Sequence, residues 1–241
     1  MAELNFPTEI VELPSKGLVY PEGHPLRSGK VEMKYMTAKE EDILTNQSYI
    51  QDGTVLDKLL QSLIVSKINY NDLIIGDKNA LLVASRILGY GKDYTFNYDG
   101  KEYTVDLSTL ENKPFDESLI TQGINEFSYT LPHSGTLVTF KILTSADDKK
   151  IDAEIKGIKK INKTASPELT TRLKYLITSV NGDKEAKTIR EFVDNYLLAR
   201  DSRALREYIK QIQPDVDLTF TDDSGEEVAV PINLSFFWPD A

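Results

Sequence analysis

Apolar positions fall at helical spacing between residues 36 and 90. Leu56, Leu59, Leu60, Leu63 and Ile64 recur at offsets of three, four, seven and eight, lining one side of a helix with aliphatic side chains that must be buried. Thr54 with Asp57 offers that helix an N-terminal cap, and Thr37 with Glu40 forms the fuller Ser/Thr-x-x-Glu box of an earlier helix. A third helix, over residues 77–88, is apolar nearly all round (Ala80, Leu81, Leu82, Val83, Ala84, Ile87, Leu88), which predicts a place between neighbouring elements.

The period then changes from 3.6 to 2. In DYTFNYDGKEYTVDL, Asp99-Gly100 sits between two alternating runs, a strong hairpin signal because the tight turn wants positive φ. A second hairpin is predicted in EFSYTLPHSGTLVTFKIL, turning at Ser134-Gly135. Between them residues 112–123 hold Pro114 and few apolar positions, a candidate boundary. Helices resume: Ser145 with Asp148 opens one carrying Ile151, Ile155, Ile158 and Ile161, with Gly157 weakening it. Ser166-Pro167-Glu168 opens another with the stripe Leu169, Leu173, Leu176, Ile177 and Val180, stopped by Asn181-Gly182. Two more use Ile189, Phe192, Val193, Tyr196 and Leu197, then Leu205, Tyr208, Ile209 and Ile212.

A last hairpin turns at Ser224-Gly225, with Pro231 keeping its second strand at an edge. It echoes the first: Asp93-x-Thr95-Phe96 runs parallel to Asp217-x-Thr219-Phe220. The predicted class is α+β, with helical blocks alternating with small antiparallel β-hairpins. The expected segments are an arm at 1–35, a helical block with the first hairpin at 36–111, a second hairpin and helical block at 112–213, and a C-terminal hairpin with an aromatic tail at 214–241.

Prolines 7, 14, 21 and 25 make the N-terminal arm extended and turning. Two readings stay open. The arm lies on its own domain, or Leu13, Pro14, Leu18, Val19, Tyr20 and Pro21 dock on another subunit as a pre-straightened peptide, in which case removing residues 1–25 would leave a folded chain that no longer associates. The tail residues Phe236, Phe237 and Trp238 pose the same choice between the chain's own core and a partner.

Composition narrows the function classes. At 241 residues and 40% hydrophobic, the chain can bury a real core. The absence of cysteine and two distant histidines, His24 and His133, argue against a metal centre, and no cofactor is expected. A net charge of −10 disfavours nucleic acid and anionic lipid. The lysines at 149, 150, 156, 159, 160 and 163 are interspersed with acids and read as a solvated helix face. No apolar run reaches the ~18 residues of a membrane span, and no basic-then-apolar leader is visible, so the cytoplasm is the expected compartment.

Catalytic patterns are lacking. There is no G-x-S-x-G elbow, and Gly89-Tyr90-Gly91 ends a helix where a phosphate loop must open one. Glu40-Glu41-Asp42 and Asp222-Asp223 read as helix-start and turn acids, and both histidines as turn residues. A small hydrolase or lyase would need carboxylates converging in a pocket. A nucleic-acid adaptor would need basic turns, and these carry Asp99, Asp222, Asp223, Glu226 and Glu227.

Together ELPSKGLVYPEGHPL, VEMKYMTAKEEDILTNQSYI, GDKNALLVASRILGYG and FFWPDA resemble the baseplate-hub assembly protein family of T-even-type contractile-tailed bacteriophages, most strongly over residues 11–91. The resemblance implies a non-enzymatic role in the hub, as component or assembly factor. Its partners would be other baseplate hub and tail proteins, in the host cytoplasm during assembly or in the tail of the virion. Such proteins often carry Cys-x-x-Cys knuckles where this chain reads NYDGKE and TDDSGEE. On that resemblance these would be degenerate zinc-ribbon hairpins, held by turn chemistry and strand pairing alone.

Overall fold

The computed structural model describes residues 7–222 and 224–237. Strand β1 (Thr8–Glu12) leads through a tight loop to β2 (Lys30–Lys34), and the two pair antiparallel with Thr8 opposite Lys34 and Glu12 opposite Lys30. The proline-rich segment therefore lies on its own domain as a strand and loop, the first of its two readings. Gly17 and Gly29, both at positive φ, let the loop fold back: a Cβ on Gly17 would stand 2.3 Å from the Arg27 carbonyl oxygen.

Helices α1 (Ala38–Leu44), α2 (Gln47–Asp52) and α3 (Val55–Leu63) follow, the first opened by the expected Thr37/Glu40 box. Thr54 stands at the start of α3 but makes no side-chain cap: its backbone (φ −106°, ψ 0°) is helical where a cap needs an extended residue, and the Asp57 carboxylate goes to Tyr70 and Lys78. Helix α4 (Ile75–Tyr90) is the axis of the fold, touched by α3, β1, the C-terminal turn and the later helix α5 (Ser145–Ile161). Its apolar circumference serves those neighbours, and Gly91 at φ 86° stops it as the sequence predicts.

Strands β3 (Asp93–Tyr98) and β4 (Lys101–Asp106) pair across Asp99-Gly100, both at positive φ. The stretch expected to be a boundary is hydrogen-bonded to distant parts of the chain: Lys113 donates its amide to the Asp215 carbonyl (2.8 Å), Asp116 to Gln211 (2.8 Å) and Gly123 to Leu18 (2.7 Å). Strands β5 (Phe127–Thr130) and β6 (Leu137–Phe140) form the next hairpin. The capping box of α5 is Thr144/Asp147, one residue earlier than the Ser145/Asp148 pair, and Ile161 at its end is 91% exposed.

Helix α6 (Glu168–Leu176) is shorter than its apolar stripe suggests. Ile177–Val180 is strand β7, paired antiparallel with β6 to make a three-stranded sheet. Helix α7 (Ala186–Glu191) runs into a π-helical turn at Phe192–Tyr196, then α8 (Ala199–Ile212) and the last hairpin, β8 (Thr219–Thr221) with β9 (Glu227–Ala229). The class is α+β. One buried cluster runs from Leu13 and Leu44 through Leu81, Phe140 and Ile209 to Phe236 and Phe237, so the segments read from the sequence share a core.

Candidate interaction surface

The expected docking residues lie mostly inside. Leu13, Pro14, Val19, Tyr20, Phe236 and Phe237 are buried, Leu18 is half-buried, and Pro21 alone of the arm's set is exposed. Burial fits the first of the two readings, the arm on its own domain and the tail in its own core, since burying them there removes more apolar surface from water than a solvated arm or tail could. Trp238 lies outside the described residues. What holds the arm is Asp77, fully buried in the first turn of α4. It accepts from the Ser15 amide (3.0 Å), the Ser15 hydroxyl (2.7 Å) and the Tyr20 hydroxyl (2.6 Å). Among the described residues no cation faces this carboxyl, so burial pushes its pKa up against those hydrogen bonds, and burial beside Asp77 pushes the Tyr20 phenol up as well.

Each of the other fully buried charges joins elements in the same way. Glu40 receives Lys34 (2.8 Å), Ser62 (2.7 Å) and Thr37 (2.6 Å). Burial alone would raise its carboxyl, but these donors outweigh it and hold the pKa at about 2. Asp201 caps the β5–β6 turn through the amides of His133 (2.9 Å) and Ser134 (3.0 Å), which overcome burial and keep it below the usual range. Arg86 donates to the carbonyls of Phe236 (2.9 Å), Gly91 (2.9 Å) and Asp93 (3.2 Å), fixing the C-terminal turn on α4, with burial lowering its pKa. His24 accepts from the Leu26 amide at a turn, as predicted, with its other ring nitrogen 3.2 Å from Asp72.

The two hairpins that echo one another in sequence face one another in space. Phe220 meets Phe96 and Tyr103 edge-on at 6.2 and 5.8 Å, and Lys101 pairs with Asp222 at 2.7 Å. Where thiolates would hold zinc, the turns present Asp99, Glu102, Asp222 and Lys101; among the described residues no three His, Cys, Asp or Glu side chains converge to bind a metal. A structural zinc ion does not fit these residues. Aromatic packing and one ion pair join the hairpins instead.

An open surface feature lies elsewhere. Between α6 and α8 is a cleft of about 270 Å³. Its floor is Ile75, Ile142, Leu143, Leu173 and Ile209, with Leu169 46% exposed at its lip. Lys141, Arg172, Arg206 and Lys210 border it, and among the described residues no carboxylate does. Lys141, Arg172 and Lys210 pair with Asp147 (2.7 Å), Asp148 (3.0 Å) and Glu207 (3.4 Å), none of which lines the cleft. Arg206 donates to the Ser202 carbonyl (3.3 Å) and meets no carboxylate within 4.0 Å among the described residues. Sequence reading treats both helix stripes as plain core faces. The available signal was basic residues three positions from apolar ones, Arg172 after Leu169 and Arg206 before Ile209.

Among the described residues no helix is long and apolar enough to cross a membrane. Comparison of the chain with protein-family models, with curated proteins and with solved structures finds no match in any of the three.

Proposed function

We propose that this chain is a non-enzymatic protein of a contractile phage tail baseplate hub, a component or an assembly factor, acting by contact with other hub and tail proteins. The observation that carries this reading is where the resembling stretches meet. Ser15 and Tyr20 of ELPSKGLVYPEGHPL bind Asp77 of GDKNALLVASRILGYG; Arg86 of that same stretch binds Phe236 of FFWPDA. Glu40 of VEMKYMTAKEEDILTNQSYI gathers Lys34, Thr37 and Ser62. The residues that carry the resemblance are thus ones on which this chain's own fold depends, which supports reading them as more than a likeness of composition.

The buried ionisable groups also support a role without chemistry of their own. Asp77, Glu40, Asp201 and Arg86 spend their hydrogen bonds on joining elements. The test is mass spectrometry of purified virions and of affinity-purified chain from a phage-infected lysate. Hub proteins should co-purify from the lysate, and presence in virions decides between component and assembly factor. A chain that co-purifies with no tail protein and is absent from virions would refute the reading.

A further inference from the structure

We propose that the cleft between α6 and α8 is a docking site for a partner protein segment that inserts one large apolar side chain and flanks it with Asp or Glu. This rests on the reading that the chain acts by contact, though not on the identity of the particle.

Three observations carry it. The floor is apolar and rigidly placed: Leu173 and Ile209 come from two helices, and Ile142 and Leu143 from the run after β6, whose Lys141 amide bonds the Leu176 carbonyl at 3.0 Å. The volume, about 270 Å³, suits a single side-chain anchor and lies under the roughly 300–1,000 Å³ usual for small-molecule pockets. The border gathers four cations in a chain of net charge −10, with the matching carboxylates of three turned to positions outside the cleft. Arg206, which meets no carboxylate within 4.0 Å among the described residues, is the cation most open to an acidic segment, with the three paired cations beside it adding to the positive border. Neighbouring Lys210 and Gln213 continue into a polar depression with Lys113 and Asp215, so the flank of the segment on that side meets both signs of charge.

The probe is a fluorescein-labelled peptide, Gly-Ser-Glu-Asp-Leu-Phe-Asp-Glu, titrated with the full chain and followed by anisotropy. Saturable binding is expected, at least tenfold tighter than for a peptide with Leu-Phe replaced by Ser-Ser or with the acids replaced by lysine. It should weaken as salt rises from 50 to 300 mM. Leu169→Glu and Arg206→Glu each change an exposed residue, so circular dichroism and thermal unfolding should stay as in the parent while binding falls at least tenfold. Absence of saturable binding, equal binding of either control peptide, or insensitivity to both variants would overturn the proposal. Vesicles of phosphatidylglycerol that bind the parent, lose binding to both variants and displace the peptide would assign the cleft to a membrane surface and overturn it too.

Discussion

Two buried carboxylates shift in opposite directions, and the difference lies in the donors and charges around each, with Asp215 adding to the effect of burial on Asp77. Glu40 has the Lys34 ammonium at 2.8 Å; Asp77 has only neutral donors. With the folded pKa near 2 against about 4.3 unfolded, Glu40 contributes stability that is complete above the unfolded value and is lost as pH falls toward 2, on the order of 3 kcal/mol. Glu40→Gln should lower stability at pH 7 by about 2 kcal/mol and make it less dependent on pH between 5 and 2, read as urea midpoints across that range. A parallel acid slope in parent and variant would contradict this. Asp77 behaves inversely: its raised pKa gives a contribution present below the unfolded value and lost as pH rises through the folded one. Asp77→Asn sets an amide N–H against the donors of Ser15 or Tyr20 and should cost about 2 kcal/mol, with the gap to the parent narrowing as pH rises.

At the scale of elements, what could be read from the sequence was what depends on near neighbours. The Thr37/Glu40 box, the Asp99-Gly100 turn and the Gly91 stop each need only a few adjacent residues, and each is found where expected. The end of α6 needed more. Leu169 to Val180 is apolar at helical spacing throughout, but Ile177 onward is drawn into a strand because the edge of β6 presents unpaired backbone groups, and tertiary pairing overrides local periodicity there. The cleft was illegible for the same reason, since its lining comes from four separate stretches, from Ile75 through 141–143 and 169–176 to 206–213. Two glycines measure the contrast. A Cβ on Gly76 would lie 1.9 Å from the Pro214 carbonyl oxygen and 2.8 Å from the Asp215 Cα, backbone that cannot move aside; Gly157, in the exposed middle of α5, would meet nothing within 4 Å. Gly76→Ala should therefore destabilise by about 3 kcal/mol or more, and Gly157→Ala should stabilise by up to ~1 kcal/mol. Chemical denaturation of the two variants side by side checks both signs.

Across the whole molecule, the N-terminal hairpin is part of the core and not an appendage to it. Deleting residues 1–25 strips β2 of its pairing strand and removes Leu13, Val19 and Tyr20 from the buried cluster, each contributing roughly 1.5–3 kcal/mol by burial. It also leaves the Asp77 carboxyl in the interior without the Ser15 and Tyr20 donors, a further penalty of several kcal/mol. Together these approach the whole 5–15 kcal/mol by which a domain of this kind is stable. The truncated chain should lose its cooperative thermal transition and its near-ultraviolet dichroism, so any partner binding lost with it would report unfolding and not a missing contact. Tyr20→Phe separates the two: it keeps the ring in the core, removes the hydroxyl donated to Asp77, and should lower the urea midpoint while leaving both peptide capture by the cleft and co-purification of hub proteins intact. A truncated chain that unfolds at the parent's temperature would mean that α4 and its cover stand without the hairpin, contrary to the burial of Asp77 beneath it.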